Sequence, residues 1–175
     1  VEKNGKFGLI DLLGKELIPV EYDEITVLNG IENSIIIKKD NKIGLVNDTG
    51  SDIIECNYKE IKNLGDTYKD GYITVDDNGK YGVISATKRQ ILENKYEEIK
   101  QIALKEYYVV KEDGKTKLIN SKGETIIEDG FDEIKSATTN GIIFTKNNLY
   151  GERNISGEIT LETQYQDLKE ANDGI

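Results

Sequence analysis

Asn4-Gly5-Lys6-Phe7-Gly8-Leu9-Ile10-Asp11, then Gly14-Lys15-Glu16-Leu17-Ile18-Pro19, then Tyr22-Asp23-Glu24-Ile25, is the stretch that sets the fold, because its pattern returns four more times. The dipeptide Phe7-Gly8 reappears as Ile43-Gly44, Tyr81-Gly82, Thr116-Lys117 and Tyr150-Gly151, in steps of 36, 38, 35 and 34 residues. Fourteen residues after the second member stands an aromatic each time: Tyr22, Tyr58, Tyr96, Phe131 and Tyr165. Spacing inside a unit is fixed and all length variation lies between units, which marks those stretches as loops. A fixed period of this size is the signature of tandem supersecondary units.

Further positions fall into register. Asp11, Asn47, Ser85, Asn120 and Asn154 lie three residues before Gly14, Gly50, Lys88, Gly123 and Gly157, the composition of a tight reversal. Two residues past the aromatic comes an acid in every copy: Glu24, Glu60, Glu98, Glu133 and Asp167. A branched aliphatic follows: Ile25, Ile61, Ile99, Ile134 and Leu168.

Each unit reads as strands. The first is Ile35–Ile37, Tyr72–Val75 or Tyr107–Val110; Asp40-Asn41, Asn78-Gly79 and Asp113-Gly114 then favour hairpin turns. The second strand is Phe7–Ile10 or Tyr81–Ile84, and the third Glu16–Ile18 or Asp52–Ile54, with Pro19 tolerable near a strand end. The Tyr-x-Glu-Ile segment closes the unit as a short fourth strand or an edge turn. Glu97–Lys105 and Gln164–Ala171 imitate helices by propensity. They align with Asp23–Val27, which has no helical pattern, so the repeat predicts strand there too. The units span about 1–29, 30–65, 66–103, 104–138 and 139–173 of one repeat domain, with 174–175 beginning another.

These residues resemble the bacterial WG (KWG) repeat, whose pattern runs Gly-Lys-Trp-Gly-Leu-Ile-Asp, a Gly-Lys turn, an apolar pair with proline, and a closing Tyr-Asp-x-Ile. No copy keeps the tryptophan, and the fourth also loses the glycine to Lys117. Distortion is therefore expected in the last two units. The resemblance implies a repeat module for interaction and brings no catalytic motif.

The expected fold is all-β: five tandem antiparallel meanders in a five-bladed, propeller-like ring, with an open twisted stack as the alternative. Closure is favoured by the chain ends. Gly174-Ile175 matches Gly141-Ile142, and Val1–Asn4 matches Phe144–Asn147, with only the slot of Ile143 missing between them.

Composition narrows the chemistry. The 175 residues carry a formal net charge of −10, and a strongly acidic surface repels nucleic acid and anionic lipid. There is no histidine, the commonest general base and transition-metal ligand. The single cysteine, Cys56, forbids an intrachain disulfide and reads as a half-buried strand residue. No apolar run approaches the roughly 20 residues of a membrane span. Neither a Gly-x-Ser-x-Gly elbow nor a catalytic residue is found, and no cofactor is expected.

Candidate site residues remain. The recurrent acids Glu24, Glu60, Glu98, Glu133 and Asp167 would, at equal radius in a ring, suit a hard cation such as calcium. The alternative is a turn or solvent role. Asp76-Asp77-Asn78-Gly79 lacks the spacing of a calcium loop and reads as a hairpin turn. The recurrent aromatics read as packing. The inter-unit loops Thr26–Ser34, Lys62–Gly71, Lys100–Glu106 and Lys135–Gly141 hold the variable residues, with Tyr68 and Tyr72 as candidate sugar or peptide contacts. The expected function is a non-catalytic module binding a protein or glycan. A structural spacer in a longer surface protein is the alternative, and a carboxylate-type glycan hydrolase the remote one. The chain reads as a segment of a longer protein, and its acidity suits the bacterial surface better than the cytoplasm.

Overall fold

A computed structural model describes residues 1–128 and 130–168. The chain is all-β, with one short 3-10 turn at Tyr68–Asp70 and no α-helix among the described residues. Its strands form five antiparallel sheets, none closed on itself. The first holds β1 (Glu2–Lys3), β2 (Lys6–Ile10) and β3 (Glu16–Tyr22). The second holds β4 (Glu24–Val27), β5 (Ile35–Lys39), β6 (Lys42–Val46) and β7 (Asp52–Tyr58). The third holds β8 (Glu60–Asn63), β9 (Tyr72–Val75), β10 (Tyr81–Ile84) and β11 (Gln90–Tyr96). The fourth holds β12 (Glu98–Gln101), β13 (Tyr107–Glu112), β14 (Lys115–Asn120) and β15 (Thr125–Ile127). The fifth holds β16 (Glu133–Ala137), β17 (Ile142–Lys146), β18 (Leu149–Arg153) and β19 (Ile159–Tyr165). Strands follow one another in sequence order, as in a meander. The sheets group into two compact units, Val1–Tyr96 and Glu97–Ile175. No helix among the described residues is long and apolar enough to cross a membrane, which leaves β-barrels unaddressed. The residues on which the closure expectation rests, Gly174-Ile175, lie outside the described residues.

The closing segment of each of the first four repeats is neither a fourth strand of its own unit nor an edge turn. After the aromatic ends the third strand, a short link leads on, and the acid–aliphatic pair becomes the first strand of the next sheet. Glu24 and Ile25 pair with Lys38 and Ile37, and Glu60 and Ile61 with Val75 and Thr74. Glu98 and Ile99 pair with Lys111 and Val110, and Glu133 and Ile134 with Thr145 and Phe144. The apparent helix Glu97–Lys105 accordingly contains β12, because ladder pairing outweighs a propensity of tenths of a kcal/mol per residue. In Gln164–Ala171, the first two residues end β19, and 169–171 lie outside the described residues.

The glycine slot has a steric cause. Phe7 pairs with Tyr22 but Leu9 with Ile18, so β3 carries two extra residues in a bulge above Gly8. Pro19 falls in that bulge on an edge strand, where a missing N–H is tolerated. A Cβ on Gly8 would lie 2.7 Å from the Ile18 carbonyl oxygen, and one on Gly44 would lie 2.7 Å from that of Ile54 and 2.8 Å from the Cys56 nitrogen. The fourth copy reveals the effect of a side chain in the slot. Opposite Lys117 the third strand β15 has three residues, pairs only at Leu118 and Ile119, and does not reach Phe131. The fifth sheet, expected to share this distortion, has a full seven-residue β19.

Turn chemistry is equally regular. Asn4-Gly5, Asp40-Asn41, Asp113-Gly114 and Asn147-Asn148 all take positive φ, the requirement of a two-residue hairpin that matches strand twist. At the second reversal the Asp11 carboxylate accepts from the Leu13 and Lys15 amides at 2.8 and 2.9 Å, and Asn47, Asn120 and Asn154 repeat the arrangement. Gly14, Gly50, Gly123 and Gly157 come next at φ 83°, 79°, 80° and 90°, while Lys88 takes φ 64° in the same place.

Apolar side chains on the facing sides of neighbouring sheets make the core. In the first unit, Ile18, Tyr22, Ile37 and Val46 form one cluster, and Leu45, Ile54, Ile61, Tyr72 and Ile84 another. In the second, Leu118, Ile126, Ile127, Phe131, Ile142 and Phe144 form a third.

Two substitutions test this account by urea denaturation. Gly44→Ala should lower stability by about 1–3 kcal/mol, the usual cost of forcing atoms into a filled space. Lys88→Gly should raise it by about 1 kcal/mol, since a left-handed non-glycine residue carries a penalty of that order.

Candidate functional site

Four of the recurrent acids head first strands. Glu24, Glu60, Glu98, Glu133 and the fifth acid, Asp167, are all exposed, and Glu60 and Glu133 pair with Lys62 at 3.1 Å and Lys135 at 2.6 Å. Among the described residues no three Cys, Asp or Glu side chains gather as a metal cluster. Asp76 closes its hairpin by accepting from the Lys80 amide at 2.8 Å, and Asp77 pairs with Lys42.

A second recurring acid, one residue earlier, escapes a reading by slots because its partner is distant in sequence. The link amide joins the next sheet each time: Asp23 to the Lys38 carbonyl at 2.8 Å, Lys59 to Val75 at 2.9 Å, Glu97 to Lys111 at 2.7 Å and Asp132 to Thr145 at 2.6 Å. Where the link is acidic, its carboxylate also reaches the coming hairpin. Asp23 accepts from the Asp40 amide at 2.9 Å, Glu97 from Gly114 at 3.3 Å and Asp132 from Asn148 at 3.1 Å. Where the link is Lys59, the hairpin is the longer one closed by Asp76. The signal in sequence was the Asp of the closing Tyr-Asp. Asp23 also pairs with Lys6. The Lys6 hydrogen bond, and after it the Asp40 amide, hold the Asp23 carboxyl below its ordinary value.

The aromatics divide. Tyr22, Tyr96 and Phe131 are buried and Tyr58 half-buried, but Tyr165 is 40% exposed. Cys56 is half-buried over Gly44, as expected of a strand residue. Tyr72, expected both to begin the strand Tyr72–Val75 and to serve as a loop contact, is the first residue of β9 but is fully buried. Its hydroxyl meets the Ser34 hydroxyl at 3.0 Å, and burial pushes its phenol up. It offers no surface to a ligand. Tyr68 is 36% exposed, on the 3-10 turn, with the Lys69 ammonium 5.9 Å from its ring centroid.

Cavities open within each unit among the described residues. One of about 450 Å³ opens in the first unit between the loop joining β4 to β5 and the loop joining β8 to β9, lined by Gly30, Glu32, Asp66, Thr67, Tyr68 and Lys69. A second, of about 350 Å³, lies in the second unit between β12 and β16, with Val109, Thr116, Phe131 and Ile134 inside and Lys100, Glu133 and Lys135 among its lining. A third, of about 450 Å³, includes Arg153, whose guanidinium sits 5.5 Å from the Phe144 ring centre while its Nη1 has no hydrogen-bond partner.

The sequence profile described as "WG containing repeat" matches residues 7–42, 43–81 and 118–149. No curated protein matches the chain.

Asp23 gives a pH test. A carboxyl depressed in the fold contributes stability that is present above its unfolded value, near 3.8, and is lost as pH falls through the folded value. Asp23→Asn should therefore flatten the wild-type decline in melting temperature on acidification from about pH 4 downward. Superimposable acid limbs for the two proteins would contradict the assignment.

Proposed function

The chain belongs to the WG-repeat family, and from that premise we propose that it is a non-catalytic binding module whose contacts come from the loops that join the first and second strands of each sheet. The observation that carries this reading is the loop cavity holding Tyr68. The recurrent slots are occupied with the fold itself: glycines under bulges, turn residues binding their own backbone, and Tyr22, Tyr96 and Phe131 in the core. The loops between first and second strands are under no such demand. They run 28–34, 64–71, 102–106 and 138–141, with seven, eight, five and four residues. Variable loops on a rigid scaffold are where binding residues concentrate.

The ligand class is a glycan or an extended peptide. Tyr68 offers a partly exposed ring for stacking, and Glu32, Asp66 and Lys69 offer polar contacts around it. A bacterial cell-surface setting suits such a role and the net charge of −10.

One observation favours a second reading. Glu32 and Asp66 lie outside the recurrent positions and line one cavity, as the two carboxylates of a glycoside hydrolase must. Release of reducing ends from a glycan, abolished in Glu32→Gln and Asp66→Asn, would favour the hydrolase over the binding module.

A panel of bacterial-surface glycans and of peptides, screened with wild-type protein, tests the proposal. A ligand retained by wild type should bind Tyr68→Ala more than tenfold more weakly, as for a stacking hot spot. The melting temperature should stay close to wild type, since the ring is 36% exposed on a 3-10 turn. Equal affinity in the variant would overturn the loop site, and a panel with no binder at all would favour a spacer.

A further inference from the structure

The residue before the glycine slot is bulky in four copies: Phe7, Ile43, Tyr81 and Tyr150. In the first unit these side chains show what the position does. Tyr81 lies with the Lys62 ammonium 5.6 Å from its ring centroid, Lys62 being two residues after the recurrent acid of the same sheet. Ile43 packs on the cluster containing Ile61, together with Tyr58. The seat therefore has a lysine from the first strand of its own sheet on one side, and the recurrent aromatic of its own repeat with the aliphatic of the next sheet on the other.

In the fourth sheet all of these walls are present and the occupant is not. Lys100 is the counterpart of Lys62, Phe131 of Tyr58, and Ile134 of Ile61. The slot itself holds Thr116, too short to fill it. Lys100, Thr116, Phe131 and Ile134, with Val109, line the single cavity of about 350 Å³. The short β15 leaves this part of β14 without a ladder partner on the far side, so access is not closed by a third strand.

We propose that this cavity is a binding site for a planar aromatic ring, seated between Lys100 and Phe131 in the place that Tyr81 fills in the third sheet. Its apolar interior suits the ring face, the Lys100 ammonium supplies a cation–π contact, and Gln101, Glu133 and Ser136 at the rim receive polar substituents. The ring belongs either to a small aromatic molecule or to an aromatic side chain of a peptide. The site is separate from the loop cavity of Tyr68 and stands whether or not that one binds anything.

The chain has no tryptophan, so indole fluorescence reports the site without background. Titrations use indole and a Gly-Ser-Trp-Ser-Gly peptide as probes. With wild-type protein each should show a saturable blue shift. Tighter binding of the peptide assigns the ring to a polypeptide, and tighter binding of indole to a small molecule. Lys100→Gln, at an exposed position, should weaken either probe about two- to fivefold. Thr116→Tyr, which supplies its own ring, should abolish the shift while keeping the native circular dichroism. The absence of a saturable shift with wild type, unchanged affinity in Lys100→Gln, or retained binding in a folded Thr116→Tyr would each overturn the site. Thr116→Trp reads the seat without added ligand: blue-shifted emission supports it, and emission like that of free tryptophan refutes it.

Discussion

One backbone hydrogen bond recurs at every link between sheets: the amide of the residue after the aromatic donates into the second strand of the coming sheet. It occurs at Asp23, Lys59, Glu97 and Asp132, at 2.6 to 2.9 Å. The chain turns there within one residue in the first three links. The bond fixes the register of the incoming first strand, because the next two residues then fall opposite Lys38 and Ile37, or their counterparts. Register decides which face each side chain takes. The same bond thus determines that Ile25, Ile61, Ile99 and Ile134 point toward packing partners while the neighbouring acids stay in solvent. A single backbone amide carries little net energy, about 1 kcal/mol. Its importance is geometric, and the acidic links reinforce it by capping the hairpin that comes next.

Glycine plays the complementary part inside each sheet. The third strand must bulge so that the aromatic can reach the link, and the bulge lies on the glycine of the second strand. Closeness leaves no room for a Cβ. Lys117 breaks this condition, and the cost is visible beside it: β15 stops at Ile127, and Glu128, Gly130 and Phe131 lie outside any strand. The same copy has lost its slot aromatic. The slot left small by Thr116 lines a cavity, so the least regular copy has an open space where the others hold a bulky side chain.

Much of this was legible in sequence. The strands Tyr72–Val75 and Tyr81–Ile84 begin and end where alternation and turn residues place them, and the Asp-x-x-Gly reversals are local enough to be read from composition. What could not be read was assignment across distance. The Tyr-x-Glu-Ile segment declares itself a strand, but nothing local says that its partner lies in the following unit. Tyr72 illustrates the same limit: the residues preceding it form a loop, yet its own ring faces the core and finds Ser34, 38 positions away. Asp23 was hidden for the same reason, since its partner amide at Asp40 is 17 residues on. The cavity by Thr116 is legible only in retrospect, as a small residue in a slot that is bulky elsewhere.

Because each sheet after the first takes its first strand from one repeat and its remaining strands from the next, repeat and sheet are out of phase by one strand. This has a genetic consequence. An in-frame duplication one period long adds one closing segment and one body wherever its breakpoints fall. The new closing segment starts the sheet after it, and the new body completes the sheet begun before it. Copy number can therefore change by unequal recombination without breakpoints matched to a sheet. Each added copy is then free to lose its own glycine or aromatic, as the fourth has done at Thr116-Lys117, and a lapse in the pattern becomes raw material for a binding site.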